Sequence, residues 1–412
     1  MFRESAARFV SAVRSDKGIA LAAAWSFNQL AYAIVYPFIP IYLCQERGLP
    51  YATASVIFPL LGLATVLAPV PCGWLTDRFG YTRMMLAGQF FRGIIFFLLA
   101  YMVYAAAPFW LLATALMLNT AVGTAFQVSS DSYLVYNTLP GDRPLYYSKI
   151  RIGFNVGWAI GPMLGAFFAK TPYWAFFIGT GLLCLLGTYY TYAACCRNAV
   201  KPVAVRREKQ QQSKSGVLQD IFCNRSFLFL TAGTLLLTLL SSQLYSTMSI
   251  FATATVQISR NALGSIYSLN GFMVLLLQLP VTALLKRSRL PLHFQLAGGA
   301  LLYVSGYLLL GMAGGAFSMA LAVAVVTFGE LTVQPGLSAA VTREVTPENS
   351  GKMMSVFSLM RGIGSSAGPW LGGQLYAVCV PALLWTILSS FAVGASLLFA
   401  LSGKKRGQRQ TP

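Results

Sequence analysis

Charge is what this chain has least of. Only 10% of its 412 residues are Asp, Glu, Lys or Arg, whereas 56% are hydrophobic. Soluble domains are about a quarter charged, so a soluble protein of this length would lack the side chains to cover its surface. Histidine occurs once, as His293, which leaves nothing from which to build a His-rich metal centre. The seven cysteines, Cys44, Cys72, Cys184, Cys195, Cys196, Cys223 and Cys379, are odd in number and form no CxxC pair. That speaks against a zinc site or a disulfide framework, and they read as small apolar packing residues. Acidic residues are few, 11 against 30 basic ones. The resulting net charge of +19 points at first to nucleic acid, but that reading needs basic residues clustered on a polar fold. Here they are scattered between long apolar runs. No cofactor-binding motif is present. The class that remains is an all-α integral membrane protein.

A bilayer core of about 30 Å takes roughly 20 apolar residues in helical form. Twelve runs meet that length: 18–44, 51–75, 82–104, 108–136, 148–169, 172–196, 226–252, 261–285, 292–313, 316–340, 352–378 and 380–401. Barrel strands would be half as long and alternate with period two. Counting Lys and Arg along the chain, 25 fall in alternate loops beginning with the N-terminus and 3 in the opposite loops. The positive-inside rule then predicts that both termini and the 197–225 loop are cytoplasmic; the short length, without extramembrane domains, fits a compact carrier of a bacterial-type inner membrane. Most of the positive charge is thereby explained as topology, and nucleic acid drops out as a partner. Residues 1–17 carry Arg3, Arg8, Arg14 and Lys17 without a separate short apolar core, so no cleavable signal peptide is read. Phe2, Ala6, Phe9, Val10 and Val13 fit either a short interfacial helix or an unstructured leader.

The longest loop splits the runs six and six, predicting bundles over 1–196 and 226–412 joined by a linker over 197–225. Across it the sequence repeats. At a constant offset of 207, Ser148, Gly157, Gly161, Pro162, Leu164 and Gly165 match Ser355, Gly364, Gly368, Pro369, Leu371 and Gly372. Gln127 and Gln334 match at the same offset. Two similar halves with the same orientation imply parallel repeats related by a pseudo-twofold axis along the membrane normal, rocking around a site between them.

The stretch GWLTDRFGYTR (73–83) resembles the loop between helices 2 and 3 of the major facilitator superfamily, with Tyr81 in place of its first basic residue. NVGWAIGPMLGA (155–166) and GSSAGPWLGG (364–373) resemble the glycine-proline motif of that superfamily's 12-helix drug/proton antiporters, and FGELTVQPG (328–336) resembles their helix 10. The resemblance implies a monomeric transporter of two six-helix bundles, carrying a small molecule and protons. It also implies that Gly73, Asp77, Arg78, Gly80 and Arg83 form a cytoplasmic latch, Asp77 facing the N-terminus of helix 11. Gly73 and Gly80 suit a tight turn and close backbone approach; Arg78 and Arg83 could pair with Asp142, Glu344 or Glu348, or merely enforce topology. Gly157, Gly161 and Pro162, with Gly364, Gly368 and Pro369, fit either a bending gate or static close packing. GSSAG also matches a serine-hydrolase pattern, but it lies inside a membrane run without its His partner.

Charges inside the runs carry the functional reading, because each costs about 3 kcal/mol at a helix centre unless paired or wet. Counted from the run ends, Arg92 and Asp131 lie about 15 and 12 Å deep, which predicts an ion pair between helices 3 and 4. Glu330 lies roughly 20 Å from the cytoplasmic side, and Arg361 is its nearest candidate partner. Glu330 is the foremost candidate for proton coupling, with Asp131 second; a structural Glu330–Arg361 pair is the alternative. The resemblance further implies that helices 1, 4, 7 and 10 line a cavity. Polar residues recur on them at helical spacing: Trp25, Asn28, Tyr32 and Tyr36; Asn119, Gly123, Gln127 and Asp131; Thr238, Ser242, Tyr245 and Ser249, with Gln243 adjacent; Thr327, Glu330, Gln334 and Ser338. Asn155 completes the candidate cavity set. Interhelical hydrogen bonding is the competing role for any one of them. Antiporters of this group carry Arg four residues before the Gly of helix 4, where this chain has Asn119, and often an acid in helix 1, where it has none. The expectation is a proton-coupled exporter of a small organic molecule. A proton-coupled importer of a sugar or peptide is the alternative.

Overall fold

The computed structural model describes residues 17–138, 143–167, 171–196, 224–344 and 350–403. The N-terminal leader, Asp142, Glu348, Cys223 and nearly all of the 197–225 linker lie outside them. Among the described residues all regular structure is helical, with no strand. The principal helices are α1 (Lys17–Val35), α2 (Ile57–Leu67), α3 (Pro69–Phe79), α4 (Tyr81–Tyr104), α5 (Phe109–Asn137), α6 (Arg143–Phe167) and α7 (Tyr173–Thr191). They continue as α8 (Arg225–Ser241), α9 (Arg260–Arg287), α10 (Leu292–Gly311), α11 (Ala316–Glu344), α12 (Ser350–Val378) and α13 (Pro381–Ser402). Each of the twelve apolar runs coincides with one of these helices or, for 51–75, with the α2–α3 pair.

Local chemistry sets the starts. Pro108, Pro172 and Pro291 precede α5, α7 and α10 with φ near −56°, where the missing N–H costs nothing. Asn224 and Ser259 cap α8 and α9 by accepting from the amides of Phe227 and Ala262. α2 and α3 meet at a bend of 40° just before Pro69. Beyond α1 the chain runs through a 3₁₀ turn (Tyr36–Phe38), a helical turn (Ile39–Ile41) and a π turn (Tyr42–Glu46). Pro37 and Pro40 remove amide donors there. Beyond α8 the same order returns as Ser242–Tyr245, Thr247–Ile250 and Phe251–Thr255.

Among the described residues nine helices are long and apolar enough to cross a membrane, ten with the bent pair. α6 and α12 are as long as the others but do not meet that composition. Glycine, serine and charges such as Lys149, Arg151 and Arg361 dilute them. Length and composition therefore support up to ten crossings of the expected twelve.

The chain divides into two compact units, one of residues 1–39 and 63–209, the other of 40–62 and 210–412. In the first, α1 packs on α6 and α7, α4 on α5 and α7, and α3 on α5. In the second, α8 packs on α12 and α13, α10 on α11 and α13, and α9 on α11. The repeat offset maps each pair in one set onto a pair in the other, so the duplication read in the sequence is a duplication of packing. Segment 40–62 belongs to the second unit. There Tyr51 meets Tyr376 edge-on at 5.7 Å, Gln374 donates to the Ala52 carbonyl at 3.0 Å, and Arg260 pairs with Glu46 at 3.0 Å.

Glycine makes one of these repeated contacts possible. Gly153, Gly157, Gly161 and Gly165 of α6 lie against Ala22, Leu30, Ala33 and Phe38 on α1 and its continuation. A Cβ at Gly157 would stand 2.8 Å from the Leu30 amide nitrogen. Gly364, Gly368 and Gly372 of α12 lie in the same way against Thr238, Leu239 and Gln243 of α8 and its continuation. Here the motif serves close helix packing. Pro162 and Pro369 are buried within these two helices.

Candidate functional site

In the first unit, polar residues from α1 and α5 converge on Arg92 of α4. Arg92 is 4% exposed, and its Nη1 donates to Asn28 Oδ1 at 2.8 Å and to the Asn28 carbonyl at 3.4 Å. Its Nε donates to Asn119 Oδ1 at 3.2 Å, and Asn119 Nδ2 returns a bond to the Arg92 carbonyl. The guanidinium lies over the Tyr32 ring at 5.8 Å. Tyr32 stacks on Tyr36 at 4.7 Å and meets Trp158 of α6 edge-on at 5.9 Å. Four residues of the α1 and α5 stripes are thus gathered around one buried cation.

The expected Arg92–Asp131 ion pair does not form. Gly88 of α4 lies against Phe126 of α5, and Tyr81 lies against Tyr133. That register sets Arg92 opposite Gly123 and puts Asp131 level with Arg83, about 13 Å away along the helix. Counting depth from the run ends misjudged the slide between the two helices. Asp131 is half-buried, three turns beyond the amide that holds Arg92.

Other stripe residues separate by role. Trp25 is 7% exposed in the core with Phe126, its Nε1 donating to Ser130 at 2.7 Å. Gln127 is exposed and Asn155 half-buried. An apolar hollow of about 510 Å³ lies between α2, α3, α4 and α5, among residues such as Ala64, Pro71, Leu75, Phe91 and Met117. None of the stripe residues lines it.

In the second unit the focus is Glu330, midway along α11, 14 residues from each end. Asn270 of α9 donates through Nδ2 to the Glu330 carboxylate at 3.2 Å and to Thr327 at 2.9 Å. Its Oδ1 accepts from the Tyr245 hydroxyl at 2.6 Å. Tyr245, Tyr303 and Tyr307 all lie close enough to feel the Glu330 charge, and Tyr303 also senses Arg361 and bonds Gln334. Arg361 is exposed on α12. Gln243 is fully buried and spent on structure: its Nε2 donates to the carbonyls of Leu239 and Gly368 at 2.8 and 2.7 Å, and its Oε1 accepts from Thr247. Sequence reasoning missed Asn270 and Trp158. A lone asparagine deep in an apolar run was the available signal, since such a group needs a partner in lipid.

Of the loop between α3 and α4, Gly80 has φ +88° and its amide bonds the Thr76 carbonyl at 2.9 Å, ending α3. Gly73 is inside α3 with nothing within 4 Å of where a Cβ would stand, so no close approach requires it. Arg78 is exposed over the Trp74 and Phe79 rings at 5.3 and 5.6 Å. Asp77 and Arg83 are exposed. Glu344 accepts from Ser226 at 2.9 Å, tying the end of α11 to the start of α8.

Residues 21–369 match the Major Facilitator Superfamily. The chain belongs to that family. Its fold is that of a multi-pass membrane transporter carrying small molecules. The chain is 24% identical to an uncharacterized MFS-type transporter, YqjV, of Bacillus subtilis, over 89% of this chain and 88% of that one. It is also 24% identical to the multidrug resistance protein MdtH of Photorhabdus laumondii, over 90% of each. Among solved structures, a POT family transporter in complex with 5-aminolevulinic acid aligns with TM-score 0.75 at 16% identity, over 93% and 95% of the two chains. The nucleoside transporter NupG aligns with TM-score 0.69 at 15% identity, over 95% and 100%. These two show the shared fold.

Proposed function

We propose that this protein is a proton-coupled exporter of small organic molecules in the bacterial inner membrane, working as a monomer with both termini in the cytoplasm. The observation that carries coupling is Glu330: an acid at the middle of α11, bonded to a neutral amide. A carboxyl whose surroundings alternate between apolar and charged takes up and gives back a proton. Binding a proton from one side and releasing it to the other drives substrate the opposite way, at about 2.3 kcal/mol per 100 mV before any pH term. The direction rests on the MdtH relatives, named for multidrug resistance, together with the glycine-proline motifs. On this reading Asp131 is a secondary protonatable group, Arg361 tunes Glu330, and the loop at 73–83 acts as the latch.

The test uses inside-out vesicles with an imposed pH gradient and ethidium as probe. Accumulation that needs the gradient and is lost in Glu330→Gln supports the proposal. Gradient-driven accumulation unchanged in Glu330→Gln removes the coupling role, and uptake confined to right-side-out vesicles makes the protein an importer.

A further inference from the structure

We infer that Arg92 and Asn28 form a binding site for the carboxylate of an aromatic monocarboxylate. This rests on the transporter reading and names one class of compound the carrier would take.

Arg92 is a buried cation, and among the described residues no carboxylate pairs with it. Nη1 and Nε are occupied by Asn28 and Asn119, whose oxygens carry only partial charge. Among the described residues no bond from Nη2 is present. Asn28, which meets Nη1, is 7% exposed, and its Nδ2 is buried without a partner. Buried donors of this kind are normally satisfied, and a guanidinium fork presents paired N–H groups in the geometry a carboxylate accepts. Two unmatched donors on side chains 2.8 Å apart, beside one uncompensated positive charge, call for one acceptor group bearing one negative charge.

The surroundings specify what that group is attached to. Tyr32 covers the guanidinium and is stacked on Tyr36, with Trp158 edge-on to Tyr32. All three rings are half-buried, so they offer aromatic faces beside the cation. On the α5 side the neighbour is Gly123, also half-buried, where a Cβ would stand 3.5 Å from Nε. Glycine there places no side chain on that face of Arg92. A planar ring carrying one carboxylate satisfies the charge, the donors and the aromatic wall together.

The test is calorimetric titration of the purified full-length protein with salicylate and with salicylamide, its uncharged counterpart. Salicylate is expected to bind at least tenfold more tightly than salicylamide. Asn28→Asp places a carboxylate against Arg92 and is expected to abolish salicylate binding while the unfolding temperature holds or rises. Arg92→Lys, which keeps charge but loses the fork, is expected to weaken salicylate at least tenfold. Equal affinity for the two probes, no binding of salicylate, or undiminished salicylate binding by folded Asn28→Asp overturns the inference. Binding is read without a gradient, so an importer or an uncoupled carrier still gives the expected result.

Discussion

Asn270 holds Glu330 from across a helix interface, donating at 3.2 Å to a carboxylate at the midpoint of α11 while accepting from Tyr245 at 2.6 Å. The single amide therefore ties the acid to α8's continuation as well as to α9. Its oxygen is the acceptor for a tyrosine hydroxyl, so removing it costs more than one bond.

Asn270→Leu is expected to lower stability by about 1–3 kcal/mol, the cost of leaving a buried polar group unsatisfied. Glu330→Gln keeps an acceptor for Asn270 and is expected to stay within about 1 kcal/mol of the parent while losing coupling. Thermal unfolding in detergent, set beside the flux assay, separates the two variants. Equal destabilisation by both would refute this view of the network.

The helices were legible because a bilayer imposes their length and turn residues mark their ends; every apolar run has its helix. Close packing was one of two readings open for Gly157 and Gly161; that α1 is the facing helix, and that Gly153 joins the contact, was not in the spacing. The partner of Arg92 was not legible either. Depth along one helix can be counted from its ends, but the slide between neighbours is set by the small-residue contact of Gly88 with Phe126, which no count contains. Stripes on four helices pointed to Asn28, Tyr32 and Asn119, and missed Asn270 because it lies on a fifth. Nor did they show that Trp25 and Gln243 would be used up in packing.

Gly153→Ala and Gly364→Ala are each expected to destabilise by about 1–3 kcal/mol or more, since the new methyl meets backbone atoms of the facing helix and forces it away. Gly179→Ala in α7 has open space around it and should be neutral or stabilising by about 0.5–1 kcal/mol. Melting curves of the three variants make the comparison. A Gly179→Ala as damaging as the others would show that contact with the facing helix is not what makes the glycines of α6 and α12 necessary.

Gly80 has φ +88° and ψ 144°, a region open to glycine almost alone. Gly80→Ala should cost about 1–3 kcal/mol through backbone strain, although no neighbour crowds the site. Gly73→Ala, in a helix with the same open surroundings, should stabilise slightly. Denaturation of the pair reads the difference directly, and the reverse order would contradict the turn geometry.

Glu46 and Arg260 pair at 3.0 Å with side chains 49% and 25% exposed. A double-mutant cycle with Glu46→Gln and Arg260→Gln should return a coupling of about 0.2–1 kcal/mol that shrinks with added salt. A coupling of several kcal/mol would mean the pair is far better shielded than its exposure indicates.

The π turns at Tyr42–Glu46 and Phe251–Thr255 occupy corresponding stations in the two units. Each closes the same way, the Arg47 amide bonding the Tyr42 carbonyl and the Val256 amide bonding the Phe251 carbonyl. Such turns are rare inside helices, so their shared closure carries the likeness of the two halves down to a single ring of backbone atoms.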